Sequence, residues 1–157
     1  MRRLGRFSRN TLEVVGVLGP VSDGFEFVFT EDHEEQVRDE HGDQVLDALQ
    51  SRIERKQKEV RWKDSVPSLR QRLHKLIYKN RYAEMAFQAG GTDYRAVFVI
   101  LENEDALVFY GAVEKNDIGS YNHSDQHKML DTLQKNYHDV RSHAEEVLAE
   151  VEGDAEV

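Results

Sequence analysis

The stretch "DYRAVFVILENEDALVFYGAVEKND", Asp93 to Asp117, decides how this chain folds. Two apolar runs of strand length, "YRAVFVILE" and "DALVFYGAV", flank a short polar turn. Val, Ile, Phe and Tyr dominate both, the residues that fit a pleated, buried surface. A third run, "RYAEMAFQ" (81–88), precedes them through "AGGTD", whose two glycines suit a tight hairpin. The three runs predict an antiparallel meander. In such a meander the start of one strand lies beside the end of the next, so Arg95 and Lys115 are expected at one rim of the sheet. Tyr121 follows on the loop beyond Lys115.

Upstream, "TLEVVGVL" (11–18) and "FEFVFT" (25–30) are β-rich runs separated by the turn cluster "GPVSDG". From Thr30 the pattern becomes helical. Thr30 is placed to cap the helix, acidic residues fill its first turns, and Gly42 is expected to break it in two. Val45, Leu46, Leu49 and Ile53 recur at helical spacing and should face the core. "RWKDSVPSLRQRLHKLIYKN" (61–80) is read as a further helix with Leu69, Leu73, Leu76 and Ile77 as its apolar stripe. A last helix is expected from about Ser124 to Val151, with "EGDAEV" frayed. These elements predict an α+β fold: N-terminal strands and helices packed on an antiparallel sheet that contains the meander, closed by a long C-terminal helix. One domain over 1–157 is expected, with a core at about 25–137, an N-terminal extension (1–24) and a C-terminal helical tail (138–157).

Composition narrows the function. There is no cysteine, which excludes disulfides and thiolate metal sites. No apolar run approaches a membrane span, and the basic N-terminus "MRRLGRFSRN" is not followed by a signal-peptide core, so a cytoplasmic protein without a membrane partner is expected. His123 and His127 fall four residues apart, half of a metal site with no third ligand in view, so neither metal nor cofactor is expected. The net charge of −9 is unevenly spread. Arg52 to Arg81 holds eleven Lys or Arg against Glu54, Glu59 and Asp64, a balance of +8 that leaves −17 for the rest. A chain so polarised can attract phosphate on one face while repelling it elsewhere; solvated helix faces would give the same count.

The Arg95–Lys115–Tyr121 rim suits a phosphodiester. Arg offers a planar fork of donors, Lys a mobile ammonium and Tyr a ring on which a base can stack. Arg70, Arg72, Lys75, Lys79 and Arg81 lead into it as candidate nucleic-acid-binding residues. In the alternative, Arg95 pairs with Glu102 or Glu114 and Tyr121 packs on the last helix.

Element order and residues together resemble the RelE/ParE/HigB superfamily of toxins from toxin–antitoxin pairs, over about Phe25 to Tyr137. The most specific part is "RYAEMAFQAGGTDYRAVFVILENEDALVFYGAVEKNDIGSY": a Tyr-led strand, a Gly turn, "YR" at Tyr94-Arg95, two apolar strands and a basic loop that ends at Tyr121. The resemblance implies a ribosome-dependent endoribonuclease that cleaves mRNA, neutralised by an antitoxin protein. In that chemistry the ribose 2′-OH attacks the adjacent phosphate. Arg95 would stabilise the phosphorane, Lys115 would assist the leaving oxygen and Tyr121 would stack on the base. The chain departs from the pattern where active relatives carry lysines on the first meander strand, since it has Ala83 and Met85 around Glu84. That departure keeps open a ParE-like or degenerate binding module engaging a protein partner, a topoisomerase or an antitoxin.

Overall fold

In the computed structural model, residues 6–7, 25–60, 75–77, 81–117 and 129–156 are described. The run at 11–18, most of the helix expected over 61–80, and Arg70, Arg72, Lys79, Tyr121, His123 and His127 lie outside them.

The meander forms as its residues dictate: β4 (Tyr82–Ala89), β5 (Thr92–Leu101) and β6 (Ala106–Glu114) pair antiparallel in sequence. Gly90 (φ 58°) and Gly91 (φ 82°) close the first hairpin, a two-residue turn with both central residues in the left-handed region. The second connection is a single 3-10 turn (Glu102–Glu104) ended by Asp105 at φ 52°, a conformation Asp tolerates better than most residues. Asp105 also accepts a hydrogen bond from the Glu26 N–H at 2.9 Å, which seats β2 (Glu26–Val28) beside β6.

There the expected antiparallel sheet requires correction. β2 runs parallel to β6, with Phe27 opposite Leu107, and β1 (Arg6–Phe7) adds antiparallel outside it, so the sheet is mixed, in the order β1-β2-β6-β5-β4-β3. Two helices and the meander separate β2 from β6, which is ample chain for a parallel crossover, and apolar alternation carries no information on direction. The helix expected over 61–80 is also corrected at its C-terminal end, since Lys75–Ile77 is strand β3, antiparallel to Tyr82–Glu84. Leu76 and Ile77 satisfy an apolar stripe or a strand equally well, and pairing with β4 decides between them.

The sheet is covered on both faces. On one, α1 (Glu31–His41) and α2 (Asp43–Val60) bury Phe27, Phe29, Val37, Leu46, Leu49 and Ile53 against Met85, Phe98 and Phe109. On the other, α3 (Met129–Lys135) and α4 (Tyr137–Glu156) bury Leu133, Ala144, Leu148 and Val151 against Val97, Val99 and Val108. The last helix is thus two segments with a turn at Asn136, it extends to Glu156, and its apolar side belongs to the core. A β-bulge opposite Val97/Phe98 pairs Val97 with Gly111 and Phe98 with Phe109 and leaves Tyr110 extra. The bulge shifts the alternation of β6, so that Phe109 and Ala112 share one face while Tyr110 and Val113 share the other. Gln36 Nε2 donates to the bulged Tyr110 carbonyl at 3.2 Å, so the irregularity leaves that oxygen satisfied.

Three polar contacts fix the helices. Thr30 caps α1 as its sequence position suggests: its hydroxyl accepts from the His33 N–H, and His33 Nδ1 accepts from the Thr30 N–H at 3.0 Å, a capping box closed by an imidazole. Gly42, at φ 96°, separates α1 from α2. Gln57, buried at the far end of α2, accepts from the Phe27 N–H at 2.7 Å and donates to the Phe25 carbonyl at 2.9 Å, so its carboxamide stands in for a strand partner of β2. Tyr82 ties the other layer by donating its hydroxyl to the Leu133 carbonyl at 2.8 Å.

These contacts set an order of cost. Gln57→Leu leaves a buried donor and acceptor unmatched and is expected to lower stability by about 2–4 kcal/mol, whereas Thr30→Ala costs about 1 kcal/mol. Urea unfolding of both variants measures the difference, with an unchanged denaturant slope showing that both remain two-state; a Gln57→Leu cost no larger than that of Thr30→Ala would remove the strand-partner role.

Candidate functional site

The residues of α2 divide by helical periodicity into a core stripe and two flanks. Val45, Leu46, Leu49 and Ile53 form the stripe; Gln57 falls on one flank, toward β2. Ala48, Ser51, Arg52 and Arg55 fall on the other, toward β4. β3 pairs only with Tyr82–Glu84, so Ala86–Gln88 have no strand partner on that side among the described residues. Around this bare edge lies a cleft of about 570 Å³ lined by Arg52 and Arg55 from α2, Phe87 and Gln88 from β4, and Asp93 and Arg95 from β5.

The cleft is cationic. Arg52 Nε donates to the Ala86 carbonyl at 3.3 Å, and an Arg95 terminal nitrogen donates to the Tyr94 carbonyl at 2.9 Å. Both guanidiniums are therefore held by backbone oxygens, which carry no charge to neutralise them. Among the described residues no carboxylate forms an ion pair with Arg52, Arg55 or Arg95. The cleft's one acid, Asp93, accepts from Gln88 Nε2 at 2.7 Å. Three guanidiniums held in a concavity at fixed charge repel one another, and an anion relieves that repulsion. Arg52 has a second consequence, because by occupying the Ala86 carbonyl it blunts the bare edge against strand addition.

The expected site residues divide accordingly. Arg95 lies in the cleft, without the pairing to Glu102 or Glu114 that was its structural alternative. Lys115 is exposed in the 3-10 turn (Lys115–Asp117) that follows β6, and Tyr94 pairs with Glu114, so Arg95 and Lys115 stand at the same end of adjacent strands. Lys115 does not line the cleft. Arg81 does not join this rim. It precedes β4 at the opposite end of the sheet, where its carbonyl accepts from the Ile100 N–H, and its guanidinium carbon lies 4.3 Å above the Tyr137 ring. Arg141 donates to the Tyr137 hydroxyl at 3.0 Å and to Glu145 at 3.2 Å, contacts that hold its guanidinium charged above its ordinary range. The guanidiniums of this second arginine cluster have ring, hydroxyl and carboxylate partners, and the cluster reads as a pin for α4. Lys75 lies on β3 opposite Glu84.

Glu84 cannot serve a ligand in the cleft: its side chain is buried, 3 % exposed, on the inner part of β4. Ala83 and Met85 point into the α1/α2 core, where a lysine would have no solvent. The first meander strand therefore brings no titratable group to the rim. Sequence reasoning did not single out Arg52 and Arg55 beyond the charge of their segment. Their signal was present in the helical wheel, where both flank the core stripe on the side of Ala48. Among the described residues no cluster of three metal-ligating side chains occurs, and no helix is long and apolar enough to cross a membrane.

Arg55 and Arg52 separate ligand binding from scaffolding. Arg55→Ala is expected to change stability by less than about 0.5 kcal/mol, because the exposed side chain makes no ion pair among the described residues. Arg52→Ala should cost about 1 kcal/mol through the orphaned Ala86 carbonyl. Thermal and urea unfolding test both, and a large loss in Arg55→Ala would mark it as structural. Compared with known proteins, the chain matches no family model, no curated protein and no solved structure.

Proposed function

We propose that the chain is a toxin-family protein of the RelE type that engages RNA through its phosphates, with ribosome-bound mRNA as target and an antitoxin protein as partner. The observation that carries this reading is the arginine cleft: three guanidiniums that make no ion pair among the described residues, with Asp93 as the acid in the lining, on a chain whose net charge is −9. The order of strand, two helices, meander and helix agrees with what the resemblance implies. Fixed guanidiniums bind phosphate oxygens by charge-assisted, bidentate hydrogen bonds, and such binding weakens steeply with salt.

In the cleaving form of this reading, a ribose 2′-OH attacks the adjacent phosphorus and gives up its proton to solvent water, the bond to the 5′-oxygen breaks, and a 2′,3′-cyclic phosphate and a 5′-OH result. Arg95 neutralises the charge that develops on the non-bridging oxygens, Lys115 gives a proton to the leaving oxygen, and Tyr121 stacks on the base. Positioning and electrostatics supply most of the rate in such a site, since no residue of β4 can take the proton from the 2′-OH. The burial of Glu84, Ala83 and Met85 favours a second reading, in which the same cleft binds without cutting and the protein acts as a binding module on a macromolecular partner.

Induced expression of the wild type beside Arg95→Ala and Tyr121→Ala, with growth and transcript 5′ ends recorded, tests the first reading. The expected outcome is growth arrest with new codon-phased mRNA ends, absent in both variants. Arrest without new ends assigns a protein target, and no arrest with folded protein present assigns the binding module. Binding of single-stranded RNA to the purified protein is expected to fall with salt at a log–log slope of about −2, three phosphate contacts at ~0.7 each, and to lose about a third of that slope in Arg52→Gln.

A further inference from the structure

Resting on the reading in which the cleft binds RNA phosphate without cutting, we propose that the cleft formed by Arg52, Arg55 and Arg95 is an end-binding pocket, selective for a terminal phosphomonoester over an internal phosphodiester. Charge and donor geometry carry the inference. The three guanidiniums and Asp93 leave a balance of +2 in the cleft, which matches the phosphomonoester dianion and over-compensates the single charge of a diester. A monoester presents three terminal oxygens and a diester only two non-bridging ones. Three arginines can each address one oxygen of the former, whereas the latter leaves one of them unmatched. Arg52 and Arg95 each use one N–H on a backbone carbonyl and retain their other donors, and Arg55, exposed on the next turn of α2, keeps all five.

The shape agrees. The cleft is bounded by α2 on one side and by the Gly90-Gly91 hairpin end of the sheet on another, and among the described residues no further cation lines it. Lys58 lies a turn beyond Arg55 on α2, and Arg38 on α1 is already paired with Glu34 and Asp43. A chain entering end-first can continue across β5 toward Lys115, two strand spacings or about 10 Å away, which is the direction in which the next phosphate of an RNA would run. The Arg52–Ala86 bond argues against an acidic peptide as occupant, because the carbonyl that a new strand would use is taken.

Fluorescence anisotropy with one labelled eight-nucleotide RNA, prepared with a 5′-phosphate, with a 3′-phosphate or with hydroxyls at both ends, tests the proposal on the full chain. The label sits on an internal base. One phosphorylated form is expected to bind at least tenfold more tightly than the hydroxyl form, and which one reports the polarity of the bound strand. In Arg55→Gln that preference should fall below threefold, while circular dichroism and melting temperature stay unchanged. Equal binding of all three RNAs would overturn the end-binding pocket and leave the RNA-phosphate reading standing. Failure of every RNA to bind would overturn both, as would binding of a poly-glutamate peptide in preference to any RNA. Preference retained in Arg55→Gln and in Arg52→Gln would place the end-binding site elsewhere and sink the assignment.

Discussion

The two-sided burial of β5 is the constraint from which the rest of the structure follows. From Ala96 to Leu101 every residue of this strand is buried, alternately against the α1/α2 layer and the α3/α4 layer. A strand covered on both faces has no polar side to fix its orientation, so register must come from its neighbours. The Gly90-Gly91 turn fixes it against β4, and the bulge at Tyr110 fixes it against β6. Large apolar side chains at Phe98, Phe27 and Phe109 then meet edge to face, with Phe27 and Phe98 centroids 4.9 Å apart, a geometry that aromatic quadrupoles favour.

Polar anchors distribute this packing outward. Among the described residues a buried side chain bonds backbone between each helical layer and the sheet: Gln57 from α2 to β2, and Tyr82 from β4 to α3. Because those backbone groups would otherwise be orphaned in the interior, the anchors determine where each helix sits as well as whether it stays. α2 is thereby fixed in rotation about its own axis. Its opposite flank delivers Arg52 and Arg55 to the edge of β4 at Ala86–Gln88, which has no strand partner on that side among the described residues.

Much of this was legible in the chain. The meander, its glycine turn, the Thr30 cap, the Gly42 break and the core stripe of α2 all depend on residues close in sequence, where periodicity and turn chemistry speak directly. What was not legible depends on partners distant in sequence. The parallel seat of β2 against β6 is selected by a crossover, and the strand at Lys75–Ile77 is selected by an available edge, which three residues with no alternation cannot announce. The candidate site follows the same division. Arg95 was readable from its place at a strand start, and its neighbourhood with Arg52 and Arg55 was not, because it requires α2 to lie across the end of β4. Arg81 shares the basic segment but not the rim, since β4 carries it to the far end of the sheet.

The backbone bonds of Arg52 and Arg95 have a thermodynamic meaning for any ligand. A long side chain ordered only on binding forfeits ~0.5–1.5 kcal/mol of rotamer entropy at that moment. Two of the three cleft arginines are already tethered to carbonyls in the empty protein, so folding has absorbed most of that loss before a ligand arrives. Arg55 alone remains an unrestrained arm. For the proposed phosphate, two arginines would thus be fixed before it arrives and one would still have to order on it, so its residence time would depend on the one arginine that still has freedom to surrender.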